Sequence, residues 1–175
     1  NTVGLDYMVL GNHEWDFGMD VLRERIWESK FPVMASNVVD VDGLPIDGTV
    51  RTAMVNVGTF RVGIIGLVTP ETVALSSAGT DRFAPVLETA KALTKELKAQ
   101  GANLIIALAH LDIYEDQELV DSGIVDVVLS GHDHYFISWD DGNVAWMEAG
   151  ENSEKVGVMD LKLTSYEKSG KKRFK

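Results

Sequence analysis

Three apolar runs in this chain lead directly into histidine, and between them they use every histidine it has. Tyr7-Met8-Val9-Leu10 precedes Gly11-Asn12-His13. Leu104-Ile105-Ile106-Ala107-Leu108-Ala109 ends at His110. Val125-Asp126-Val127-Val128-Leu129 precedes Ser130-Gly131-His132-Asp133-His134. Runs of this length and β-branched content read as buried strands. If the strands are neighbours in one sheet, the imidazoles converge on one edge. Polar clusters at the C-terminal ends of buried strands are where open α/β sheets place their ligands. Imidazole is a common ligand of divalent transition metals. A His-x-His pair in extended chain points both rings the same way.

The first cluster is the densest. Within Gly11-Asn12-His13-Glu14-Trp15-Asp16 lie an amide that can ligate a metal (Asn12), an imidazole (His13) and a carboxylate (Asp16). Gly11 is expected to permit a sharp turn after the strand. Taken alone, the stretch reads more readily as a strand-to-helix turn with Asp16 as an N-cap. Any one of His110, His132 or His134 alone would more often be structural. The ordered set of four carries the functional reading.

These residues resemble the calcineurin-like metallophosphoesterase superfamily, and within it the 5'-nucleotidase branch. The resemblance rests on Gly11-Asn12-His13-Glu14 with Asp16, on His110, and on Gly131-His132-Asp133-His134. Phe31-Pro32-Val33-Met34-Ala35-Ser36-Asn37-Val38 and Gly63-Ile64-Ile65-Gly66-Leu67-Val68-Thr69-Pro70-Glu71-Thr72 carry the similarity to the branch. It extends to about Leu163. It implies an α/β fold: a two-sheet mixed β-sandwich flanked by helices, with two metals at one rim. Asn12, His110 and His132 resemble ligands of one metal, and His134 a ligand of the other. His13 resembles the catalytic histidine, with Asp16 orienting its imidazole. The implied cofactors are two divalent ions, with Mn, Zn, Fe or Co suiting the donors better than Mg. The implied reaction is attack of a metal-activated water on the phosphorus of a nucleotide or related phosphate ester. The implied location is extracellular, periplasmic or cell envelope.

Two of the family's motifs are absent: the Asp-x-His after its opening strand, and the Gly-Asp whose aspartate bridges the metals. One metal would keep three ligands here and the other only His134. Asn1 is not an initiator residue, so a fragment or processed product, truncated at the N-terminus, is expected. The family's nucleoside-gripping domain has no counterpart before Lys175. The alternative is therefore an inactive module that binds at most one divalent ion or offers an interaction surface. A plain nucleotide-binding domain is disfavoured because no Gly-rich phosphate loop is present.

Composition narrows the partners. A net charge of −11 argues against a nucleic-acid partner, which needs basic patches. An acidic enzyme for anionic substrates needs local positive charge, and bound divalent cations supply it. With no cysteine there are no disulfides and no thiolate ligands. No apolar run approaches the ~20 residues of a membrane span, and the chain does not open on a signal peptide. Oligomeric state cannot be read from the sequence.

Along the chain, residues 6–10 read as a strand, Met19 to Ser29 as an amphipathic helix, and Phe31 to Ala35 as a strand. Asn37 to Gly48 reads as loop, with Asn37 a turn residue rather than a ligand. Val50 to Val57 and Phe60 to Val68 read as a hairpin. Thr69 to Ala84 is irregular, and Val86 to Ala99 is a helix stopped by Gly101. Leu104 to Ala109 is a strand, Tyr114 to Val120 a short helix, Val125 to Leu129 a strand. A hairpin turns at Asp140-Asp141-Gly142-Asn143. Val156 to Leu163 alternates as a last strand. The catalytic domain is expected over residues 1–163, with a frayed basic tail or linker over 164–175. Trp139 and Trp146 read as core or rim packing, and Asp112 and Asp133, which neighbour the ligands, as either solvated or supporting those ligands from behind.

Overall fold

The computed structural model describes residues 1–168 and 171–174. Its centre is a six-stranded mixed sheet in the order β10-β11-β9-β8-β6-β5. These strands are β5 (Thr52–Val57), β6 (Phe60–Val68), β8 (Leu104–His110), β9 (Val127–Ser130), β10 (Phe136–Asp140) and β11 (Ala145–Ala149). Strands β6, β8, β9 and β11 run parallel, and the hairpins β5–β6 and β10–β11 close the two sides. β6 is apolar along most of its length because both of its faces are buried, as central parallel strands require.

A second sheet, β1 (Met8–Val9), β2 (Val33–Met34) and β4 (Thr49–Val50), is parallel and stacks on one face of the first. The sheets meet at Gly66, where any Cβ would overlap Met34. On the opposite face, α3 (Val86–Ala99) and α4 (Ile113–Ser122) bury Ala90, Leu93, Leu97 and Leu119 against Ile65, Leu67, Ile105 and Ala107. Helix α1 (Met19–Glu28) turns Leu22 and Ile26 towards Leu10 and Val33 under the smaller sheet. The expected mixed sandwich with flanking helices is therefore present. Short pieces complete it: β3 (Val38–Val39) pairs antiparallel with β7 (Arg82–Phe83), and α2 (Thr72–Leu75) interrupts the stretch expected to be irregular.

Two expectations need correction. Val156 to Leu163 forms no strand: its alternation finds no hydrogen-bonding neighbour among the described residues, and Val156 and Val158 are exposed. Beyond it, β12 (Ser165–Lys168) pairs antiparallel with β13 (Lys171–Phe174) where a frayed tail was expected. Residues 169, 170 and 175 of that tail lie outside the described residues. Asn37 does lie in a turn, Ala35 to Val38, as expected. It is buried, donates to Val68 O at 2.7 Å and Ala84 O at 3.1 Å, and accepts from the Val68 amide at 2.9 Å, so it ties β6 to the loop beside β7. Asp112 caps α4, accepting from the amides of Tyr114 and Glu115.

Candidate metal centre

The parallel strands β6 and β8 end side by side, with Val68 opposite His110. The chain after β9 continues that edge: the Gly131 amide donates to Ala109 O at 3.1 Å, and Leu111 bridges His132. On the small sheet, β1 runs through Leu10 and Gly11 into a 3-10 turn, Asn12–Trp15. Asp16 does not cap the following helix. Its N-cap is Gly18, at φ +81°, a conformation that favours glycine. Trp15 anchors the turn, fully buried with its Nε1 donating to Asp81 Oδ2 at 2.9 Å. Glu14 ties it from the other side, accepting from the Gly11 amide at 2.6 Å. Adjacent residues of the turn point to different sides. Asn12 is 3% exposed, whereas the His13 side chain is 77% exposed.

Asn12, His110 and His132 come together. Asn12 Oδ1 is 2.9 Å from His110 Nε2 and 3.2 Å from His132 Nδ1, and the two ring nitrogens are 3.2 Å apart. The amide oxygen only accepts, and facing ring nitrogens cannot both carry a proton without opposing each other. The triangle thus presents more lone pairs than its own hydrogens can satisfy. Ligands at right angles around an ion ~2.1 Å away are roughly 3 Å apart, so the donors fit one divalent transition metal. Burial, reinforced by His132, His13 and His134, lowers the His110 pKa to about 4. His110 is therefore neutral at pH 7, the form that ligates.

The other site residues stand apart from this triangle. His13 Nδ1 donates to Asp16 Oδ2 at 2.8 Å. Ser76, just after α2, donates to Asp16 Oδ1 at 2.6 Å. That hydrogen bond, more than the one from His13, holds the Asp16 carboxyl below the usual range. Ser76 escaped the sequence reading because it lies sixty residues away in a stretch without periodicity. His134 does not join the triangle either. Its Nδ1 pairs with Glu151 Oε2 at 3.1 Å. The loop is not extended, as a His-x-His pair with parallel rings would require: His132 has φ +118° and His134 φ +64°. Among the described residues no three His, Asp or Glu side chains converge as a metal-holding group, so the triangle's third donor is an amide. Asp133 accepts from the Ile113 amide at the start of α4. Trp146 is half-buried and donates to Ser130 Oγ at 2.8 Å.

A family profile described as calcineurin-like phosphoesterase matches residues 2–136. A probable 5'-nucleotidase of Treponema pallidum is 35% identical over 162 residues, covering 89% of this chain and 27% of that protein. A snake venom 5'-nucleotidase of Gloydius brevicauda is 36% identical over 143 residues, covering 78% and 24%. Among solved structures, the 5'-nucleotidase precursor of Thermus thermophilus superimposes with a TM-score of 0.68 at 32% identity, covering 96% of this chain and 32% of that one. The chain thus spans about a quarter of the length of the curated relatives it matches.

Proposed function

The chain belongs to the calcineurin-like phosphoesterase family, a family of hydrolases with 5'-nucleotidases among its members, and from that premise we propose that it supplies the catalytic unit, over residues 1–163, of a metal-dependent phosphoric ester hydrolase of the 5'-nucleotidase type. The observation that carries this reading is the lone-pair-rich triangle of Asn12, His110 and His132 beside an exposed, oriented His13. The triangle would hold one divalent ion, and His134 would contribute to a second. A bound ion supplies positive charge to the phosphoryl oxygens and acidifies a water at neutral pH.

The remaining chemistry belongs to the chain. Asn12 and His110 are fixed by the ends of β1 and β8, so the donors need little rearrangement. Asp16 accepts the Nδ1 proton of His13, which leaves Nε2 facing outward to meet a phosphoryl or leaving oxygen. Ser76 restrains the Asp16 carboxylate, and so the imidazole. The substrate in this reading is a nucleotide or related phosphate ester, in line with the names of the relatives. The venom relative favours an extracellular, periplasmic or envelope setting, and no helix among the described residues is long and apolar enough to cross a membrane.

A second reading has its own observation. His134 faces Glu151 and not the triangle, and only one donor cluster is assembled among the described residues. That favours a module binding a single ion without turnover. Phosphate release from AMP with Mn²⁺, run beside His13→Ala and with Mn²⁺ binding measured in parallel, separates the two. Release that needs both the ion and His13 supports the hydrolase. Binding without release supports the single-ion module. Neither binding nor release overturns both.

A further inference from the structure

The connection between β9 and β10, residues 131–135, carries His132 and His134. Both have left-handed φ values that side chains other than glycine rarely adopt. Such a conformation is strained and persists only where the surroundings over-determine it. On one side, Asp133 takes the first amide of α4 and ties the loop to that helix. On the other lies Glu148, in β11 opposite Ser130 and Ile137. Glu148 is 2% exposed, and no salt bridge to it is present among the described residues. Its Oε1 accepts from the Tyr135 amide at 3.1 Å; burial pushes its pKa upward, and the nearby Tyr135 and His134 amides oppose that rise.

A carboxylate buried in a strand without a cation is expensive, and an apolar residue of similar volume would pack there at lower cost. It becomes favourable when backbone N–H groups of a strained loop would otherwise lack an acceptor. We propose that Glu148 is the positioning residue of the histidine loop: its buried carboxylate clamps the backbone at 134–135 and so sets where His132 and His134 present their nitrogens. This rests on the metal-centre reading for its consequence, but the clamp itself is a property of the metal-free chain.

Glu148→Met keeps the length and apolar packing and removes the acceptor. Amide hydrogen exchange at His134 and Tyr135 is expected to accelerate at least about tenfold, the effect of losing a hydrogen bond to a charged group. The global unfolding midpoint is expected to fall, because the loop amides lose their acceptor, and the exchange at 134 and 135 is expected to accelerate by more than that fall accounts for. Glu148→Gln, which retains one acceptor oxygen, is expected to lie between, and it carries the test should the Met variant fail to fold. Mn²⁺ affinity of both variants is expected to fall about 10- to 100-fold, as for other groups that orient ligands. Protection at both amides equal to wild type in the folded variant overturns the inference, whatever the ion does. A wild type that binds no Mn²⁺ overturns the metal-centre reading instead, and the exchange result still decides the role of Glu148.

Discussion

Gly11 lies flat against the ring of His110. A Cβ on Gly11 would come to 2.6 Å from Cε1 and 2.8 Å from both ring nitrogens. Its backbone is extended, with φ −103°, so alanine could adopt the conformation, and the constraint is the space His110 occupies. The glycine therefore serves the approach of strand to imidazole, and not the sharp turn expected of it. Gly11→Ala is expected to displace His110, to cost about 1–3 kcal/mol as an overpacked site, and to weaken Mn²⁺ binding at least about tenfold. Urea unfolding and calorimetric titration measure the two effects. Wild-type ion affinity in a folded Gly11→Ala protein would show that His110 is free to move, and that the triangle is not preorganised.

The convergence of His110 and His132 was legible because each follows an apolar run, and the parallel neighbours β8 and β9 end on the same edge; Asn12 reaches them from the smaller sheet, and the stacking of the two sheets is not written in any one run. The longer helices α1, α3 and α4 were legible, with α3 found at its expected bounds, while the single turn of α2 is too short to show a period. Partnership was not legible. Alternation over Val156 to Leu163 says which residues share a face, but not whether another strand lies alongside. His134 could not be assigned a direction because its loop has φ values that the residue type does not announce. Asn37 and Ser76 act across 31 and 60 residues of chain, where no local pattern reports them.

Ser76 offers a way to perturb His13 without touching Asn12, His110 or His132. Its hydroxyl is the second donor on Asp16, whose other oxygen accepts from His13. Ser76→Ala is expected to lower kcat for phosphate-ester hydrolysis roughly two- to tenfold, about the worth of one partly exposed hydrogen bond. KM and Mn²⁺ affinity should stay close to wild type, and Ser76→Thr should restore the rate. A change in ion affinity equal to the change in rate would mean that Ser76 supports the fold of the turn, and not the orientation of the imidazole.

The turn itself hangs on Trp15 and Asp81. The indole is fully buried, donates to the carboxylate at 2.9 Å and packs edge-on against Phe83 with ring centroids 5.3 Å apart. Burial also pushes the Asp81 carboxyl upward, while the indole N–H opposes that shift. Trp15→Phe preserves an aromatic ring but leaves the carboxylate without this donor. Destabilisation of about 1–3 kcal/mol is expected. A double-mutant cycle with Asp81→Ala, which removes the acceptor, should return a coupling of about 1 kcal/mol or more. Additive effects would assign the loss to packing alone.

Asp116 gives the fold a pH dependence of its own. It is 1% exposed in α4, one carboxyl oxygen has no hydrogen-bond partner, and Ser130, Glu148, Asp133 and Glu115 surround it. Burial, with added repulsion from those carboxylates, raises its pKa to about 8 from an ordinary 3.8. The folded chain thus holds a proton that the unfolded chain releases between those values. Stability from this group is fully present below about pH 4 and is lost as pH rises towards 8, at up to ~1.4 kcal/mol per pH unit. Asn has the shape of the protonated acid and cannot ionise, so Asp116→Asn should remove that slope. In urea unfolding at pH 5, 6.5 and 8, the variant should gain on wild type with each step and be the more stable protein at pH 8. Parallel stability curves would mean that Asp116 has the same proton affinity folded and unfolded, which requires water or a cation at its unpaired oxygen.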